Sequence, residues 1–250
     1  MAANLPHLQT ILEDDHLLAV IKPSGLPTAN APRDADSVYT LLRARLPEGA
    51  FVGVVSRLDA AVSGVLVLAK TRPAAAELSR QFREREVTKV YGAVVEGRFP
   101  APLGRWIDWH DRIERRDQER RSTLRVGQRS DEAAEPAEEF EENEEAAPGE
   151  DCHVRARVVH RAGEVSLVEL EPSSGRRHQL RAQLAGHGCP IVGDRVYGSR
   201  LPFLAGNRSA IALHARSLAF THPATGRVVE LRAEWPVEWC TRFASLPLKP

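Results

Sequence analysis

The stretch SRLDAAVSGVLVLAKT, residues 56–71, runs from a polar turn into an apolar segment. VLVLAKT, 65–71, reads as a buried strand, and Thr71 and Pro73 then open a helix with Ala75, Leu78 and Phe82 inward. Toward the N-terminus, HLLAVIKP, 16–23, reads as another buried strand that ends at Pro23. The turn SGLPT follows, with Gly25 free to take a positive φ. DSVYTLLRARL, 36–46, fits a helix that puts Val38, Leu41, Leu42 and Leu46 on one face. Toward the C-terminus, TKVYGAVVEG (88–97), HVRARVVHR (153–161), VSLVELEP (165–172), IALHARSLAF (211–220) and VVELRAEWP (228–236) read as strands. SSGRRHQLRAQLAGHG, 173–188, reads as a helix capped by Ser173 or Ser174 and ended by Gly186 or Gly188. Strands dominate and do not alternate regularly with helices. The fold class is therefore α+β, with a mixed or largely antiparallel sheet.

The 250 residues, 42% hydrophobic and 27% charged, suit one globular domain spanning 1–250, with a core large enough to need no disulfide or metal staple. No apolar run approaches the roughly 20 residues of a membrane span. The first residues lack the basic and apolar regions of a secretory signal. Cys152, Cys189 and Cys240 are odd in number and form no CxxC, as free thiols in a reducing cytoplasm would. The formal net charge is 0, but eleven of the 34 acids lie between 131 and 151, where there is no Lys or Arg. The rest of the chain sets 23 acids against 34 bases. A surplus of this kind suits a polyanionic partner such as nucleic acid. The acidic tract, 130–151, has little to bury and reads as a disordered insertion between strands. Arg112, Arg115, Arg116, Arg120, Arg121 and Arg125 precede it.

Three segments can carry chemistry. In SRLDAAVSG, Asp59 stands beside Arg57 and before Ala60, Ala61, Ser63 and Gly64, whose small size leaves space for a substrate next to a carboxylate nucleophile or base. An Asp capping a turn and pairing with Arg57 has the same pattern. In SGRRHQLRAQL, Arg177 and Arg181 repel at helical spacing, and Arg176 and Arg177 lie near the positive end of the predicted helix. An anion, either a phosphate backbone or Asp59, relieves both; a solvated basic face is the plainer alternative. Tyr91 in KVYG can stack on a base or serve as a core aromatic. The histidines show no metal-ligand spacing, and no phosphate-cradling Gly loop is present.

Together these segments resemble the RluA family of pseudouridine synthases, from about Leu17 to about Trp235. The matching pieces are VIKPSGLPT, SRLDAAVSGVLVLAKT, KVYGAVVEG, SGRRHQLRAQLAGHGCPIVGDRVYG and LHARSLAFTHPATG, in the family's order. Ser56, Val62 and Arg177 stand where the family usually has His, Thr, and Thr or Ser, so the flipped-out nucleotide is held differently. With about 15 residues before the first strand, the chain resembles short members lacking an S4-type RNA-binding module.

The resemblance implies a mixed, mostly antiparallel sheet with flanking helices and a central cleft. It implies isomerisation of a uridine in tRNA or rRNA to pseudouridine, without cofactor or metal because no redox change occurs. By carry-over Asp59 is the catalytic carboxylate, either attacking the nucleotide or promoting loss of its base. Arg181 pairs with Asp59. Tyr91 packs on the uracil and takes part in the final deprotonation. Arg57 fills the gap left by the flipped base or holds the backbone, and Leu180 adds an apolar contact. Lys89 and Arg176 are further candidates for RNA contacts. The acidic tract would contact a basic partner or its own RNA cleft. The alternatives are an RNA-binding protein of this fold without catalysis, and a nucleoside or glycoside hydrolase. The latter typically needs a second carboxylate.

Overall fold

The computed structural model describes residues 8–31, 35–115, 122–126, 150–204 and 209–249. In chain order the elements are β1 (Gln9–Glu13), β2 (Leu17–Lys22), α1 (Val38–Arg45), β3 (Gly53–Val54), β4 (Ser63–Ala69), α2 (Arg72–Arg83) and β5 (Thr88–Glu96). They continue with β6 (Trp106–Arg115), β7 (Ser122–Val126), β8 (Glu150–Ala162), β9 (Val165–Pro172), α3 (Gln179–Gly186), β10 (Leu213–Thr221), β11 (Val228–Arg232) and α4 (Val237–Arg242). Among the described residues all eleven strands join one sheet, ordered β1-β2-β4-β10-β5-β9-β8-β6-β7, with β3 on β4 and β11 on β10. Among the described strands only β4 and β10 pair in parallel, through His214 opposite Ser63 and Ala215 opposite Gly64. The α+β class with a mixed, mostly antiparallel sheet is what the sequence predicts.

β2 and β4 read as continuous apolar runs because both their faces are covered. Leu17, Ala19, Val65 and Val67 pack toward α2. Leu18, Val20, Leu66 and Leu68 pack toward α1. Side chains alternate across a strand, so a strand buried on both sides has no polar positions to alternate with. Ser37 caps α1 in a reciprocal capping box with Thr40. Thr71 caps α2, whose Ala74, Leu78 and Gln81 are buried, while Ala75 and Phe82 pack partly buried on the same core. Gln81 mimics a peptide group at the end of β10: its amide donates to Thr221 O (2.9 Å) and its carbonyl accepts from Thr221 N (3.0 Å).

Two expectations change. The helix predicted over 173–188 starts only at Gln179, so Ser173 and Ser174 do not cap it and Arg177 and Arg181 do not share a helix face. The Gln179 side chain ties the preceding residues into a loop. Its Oε1 accepts from Ser174 Oγ (2.8 Å) and Arg176 N (3.3 Å), and its Nε2 donates to His153 O (3.1 Å). The acidic tract lies outside the described residues except Glu150 and Asp151, which belong to β8 instead. β6 has no counterpart in the sequence reading. Its inward positions are Trp109, Asp111 and Ile113, and the carboxylate breaks the apolar alternation. Gln183 Nε2 (2.7 Å) and His187 Nε2 (3.2 Å) satisfy that buried Asp111.

At the parallel junction Gly64 has φ +121°, and a Cβ there would stand 2.5 Å from Ala215 N. Only glycine admits so close an approach. Beside it His214 is fully buried, with Nδ1 2.7 Å from Ser63 Oγ and Nε2 donating to Glu234 O (3.1 Å). Burial, and then the charge of Arg216, push this imidazole down to about 3. Unfolded, the group takes a proton near pH 6.5. Its contribution to stability is present above that pH and is lost as the pH falls toward 3. Between pH 7 and pH 5 the unfolding free energy is expected to drop by about 2 kcal/mol more in the wild type than in His214→Gln. Denaturant melts of both proteins at the two pH values give the unfolding free energies; an equal drop in wild type and variant would refute the assignment.

Candidate active site

Three loops and one strand meet at the N-terminal end of β4. The turn before it, residues 56–62, is fastened from every side. Lys22, wholly buried, donates from Nζ to Leu26 O (2.6 Å), Pro23 O (2.9 Å) and Ala60 O (3.1 Å). Thr28 Oγ1 donates to Leu58 O (2.9 Å) and accepts from Leu58 N (3.1 Å). Gly25, with φ 90°, donates from its N–H to Ala60 O (2.7 Å), and Ile211 N donates to Ala61 O (3.2 Å). The VIKPSGLPT segment is therefore the clamp on the turn that carries Asp59. Burial pushes the Lys22 ammonium down to about 7, against the favourable charge of Asp59.

Asp59 keeps 28% of its side chain exposed and turns Oδ2 toward Arg181 Nη1, 3.2 Å away. Arg181 has a second and closer partner that the sequence reading leaves without a role. Asp194, 1% exposed, takes its Nε at 2.7 Å and its Nη2 at 2.9 Å in a two-pronged pair. Burial works against the Arg181 charge, but the bonds and charge of Asp194, joined by those of Asp59, together outweigh it and hold its pKa above the ordinary value. The guanidinium also lies over the Tyr197 ring at 5.0 Å. GDRVYG thus supplies both a counter-ion and a platform. The signal in the sequence is the lone acid directly after the apolar PIVG run.

His178 is the other residue the sequence reading passes over. It precedes α3 with φ 57°, a strained conformation for a residue bearing a Cβ. Its Nδ1 lies 3.0 Å from Tyr197 Oη and its Nε2 3.7 Å from Asp59 Oδ2. Burial lowers its pKa, the charge of Asp59 opposing, so it is mainly neutral at pH 7. Burial, and then Asp59, push the Tyr91 phenol up to about 12, so its hydroxyl keeps its proton.

Asp59, Tyr91, Arg181, Arg57, Leu180 and Arg176 line one narrow pocket of about 80 Å³. Lys89 does not reach it. It lines an adjoining pocket of about 410 Å³ and donates to Ser174 O (2.9 Å). Arg176 is paired with Glu150 at 3.2 Å. Thr28, Asp59, Arg177 and Arg195 line a wider opening of about 690 Å³. Arg57, Leu58, Gly175 and Arg176 border all three spaces, which form one cleft.

The cleft across the mixed sheet, with a carboxylate and a guanidinium at its floor and arginines at its rim, has the charge to receive a polyanion. The RNA pseudouridylate synthase family pattern matches residues 16–186. The Escherichia coli (strain K12) dual-specificity RNA pseudouridine synthase RluA is 36% identical over 237 residues, covering 91% of this chain and 93% of its own. The ribosomal large subunit pseudouridine synthase C of the same strain is 34% identical over 250 residues, covering 91% and 69%. The solved human RNA pseudouridylate synthase domain containing 4 superposes with a TM-score of 0.70 at 25% identity, over 94% of this chain and 93% of that one. The chain belongs to the RNA pseudouridylate synthase family, whose reaction is the isomerisation of uridine in RNA to pseudouridine.

Proposed function

We propose that Asp59 is the carboxylate that drives this isomerisation, and that its substrate is a particular uridine of a tRNA or ribosomal RNA. The observation that carries the reading is the partly exposed Asp59 carboxylate held 3.2 Å from an arginine otherwise anchored on Asp194. The uridine leaves its stack and enters the narrow pocket, at a cost of a few kcal/mol. Asp59 attacks the nucleotide or promotes loss of its base, and the N1–C1′ bond breaks. The uracil turns, C5 bonds to C1′, and the C5 proton departs while N1 gains one. Tyr91, with its hydroxyl protonated, packs on the uracil and passes the C5 proton only by giving up its own. Arg57 holds the backbone or fills the vacated stack, and Leu180 contacts the base. Residues 1–250 act as one catalytic domain with the acidic tract inserted in it, in the cytoplasm. Among the described residues no helix is long and apolar enough to cross a membrane.

Purified protein incubated with unmodified tRNA and large-subunit rRNA transcripts tests the reading. Pseudouridine at one position, with no free uracil, is the expected result. Binding without pseudouridine would favour the non-catalytic RNA-binding alternative, and free uracil would favour a hydrolase.

The acidic tract supports a further expectation. Replacing 130–149 by a short Gly/Ser linker removes nine acids and raises the formal net charge from 0 to +9, while sparing Glu150 in β8. RNA affinity, including non-specific affinity, rises at low salt. The gain shrinks as screening sets in over a Debye length of about 10 Å at 0.1 M. The melting temperature stays nearly unchanged. Superimposable binding curves at low salt would take the tract off the RNA path.

A further inference from the structure

The pocket that adjoins the catalytic one is walled by Arg57, Arg83, Arg85, Lys89 and Arg176, and no carboxylate lines it. Arg83 and Arg176 have partners outside it, Glu84 at 3.8 Å and Glu150 at 3.2 Å. Arg57 and Arg85 have no carboxylate partner among the described residues. Lys89 is pressed in with them, its pKa brought down to about 8 by burial and then by the charge of Arg85. Arg57 and Arg85 are solvent-exposed and hydrated, and with the half-buried Lys89 beside them they gather positive charge in one concavity, which raises the local concentration of anions there.

Arg85 supplies the second observation. α2 ends in a paired-bond cap: Glu86 N donates to Gln81 O (2.9 Å) and Arg85 N to Phe82 O (3.4 Å). In this cap the residue at the Arg85 position takes the left-handed conformation, where glycine is strongly preferred. Arg85 has φ 61°. A glycine would end the helix without strain, yet the chain places a guanidinium there, at the mouth of the cationic pocket. Strain retained at one residue beside a site points to what its side chain does. Phe82 and Leu218 give the pocket an apolar wall, and its volume of about 410 Å³ lies in the range of small-ligand sites. It shares Arg57 and Tyr91 with the catalytic pocket.

We propose that this pocket is a phosphodiester subsite: it takes the phosphate of a nucleotide flanking the target uridine, with that nucleotide's sugar or base against Phe82 and Leu218. The proposal rests on the reading of RNA as substrate. It adds that the enzyme grips one particular neighbouring linkage, and so fixes the register of the strand over Asp59.

Arg85→Gly is the informative variant, because glycine suits the left-handed position and the helix cap survives. Its melting temperature should equal or exceed that of the wild type. With an RNA stem-loop substrate its KM should rise about ten-fold, with a smaller change in kcat. The slope of log Kd against log salt should shrink by about one. Substrates carrying one uncharged methylphosphonate at successive linkages locate the contact. The wild type should lose about ten-fold at one linkage near the target, and Arg85→Gly less than two-fold at that same linkage. Lys89→Met should repeat the pattern. Equal sensitivity of wild type and Arg85→Gly at every linkage, or an unchanged KM and salt slope in Arg85→Gly, would overturn the subsite. If the wild type modifies no RNA, the functional reading fails instead. The same linkage scan read by binding alone then still decides whether the pocket holds a phosphate.

Discussion

Asp59→Ala and Asp59→Asn are each expected to lower the rate of pseudouridine formation by about 10⁴-fold or more, the scale on which losing a nucleophile or its equivalent is felt. RNA affinity should stay within a few-fold of wild type. The structure explains why the protein survives the change. Asp59 is partly exposed, the backbone of its turn is held by Lys22, Thr28 and Gly25, and Arg181 keeps both of its bonds to Asp194. Removing Asp59 leaves Arg181 paired, and the buried Lys22 loses a favourable charge but keeps its three carbonyl bonds, so the melting temperature should fall only modestly. Single-turnover assays on a defined transcript, with a binding curve for the same RNA, give the two readings. Near-wild-type turnover by Asp59→Asn would remove Asp59 from the reaction.

Arg181 behaves differently because it has two partners. Arg181→Met leaves the 1% exposed carboxylate of Asp194 unpaired, at a cost of about 3–5 kcal/mol. It should lose both activity and stability. Arg181→Lys keeps the charge but not the planar fork that grips Asp194, so both losses should be partial. The double variant Arg181→Met/Asp194→Leu separates the two roles. With no buried charge left over, the melting temperature should recover a large part of what Arg181→Met lost. Activity should stay low, because Asp59 still lacks its cation. Recovery of activity together with stability would mean that Arg181 serves the fold alone, and that its 3.2 Å contact with Asp59 is incidental to the reaction.

The legible parts of this chain are those set by local pattern. Continuous apolar runs mark β2 and β4, since a strand covered on both faces must be apolar along its length, and β5, β9 and β10 show as strand-like mixtures of β-branched, apolar and polar residues. Thr71 and Pro73 mark the start of α2 because capping and proline geometry act within one turn. Asp59, Tyr91 and Arg181 stand out because their motif neighbours are close in sequence.

What stayed hidden depends on partners distant in the chain. β6 could not be read, because Asp111 occupies an inward position that only Gln183 and His187, over 70 residues later, make tolerable. The start of α3 moved to Gln179 because one side chain binds Ser174, Arg176 and the His153 carbonyl at once, a choice no local propensity contains. The ion pair at the floor of the cleft was half legible. The sequence by itself determined that an arginine and an aspartate were available to pair. Only the tertiary structure decided that Asp194 grips Arg181 more closely than Asp59 does. In a buried site a two-pronged carboxylate on the guanidinium fork is preferred to a single contact, and nothing in the spacing of the chain says which carboxylate will reach it.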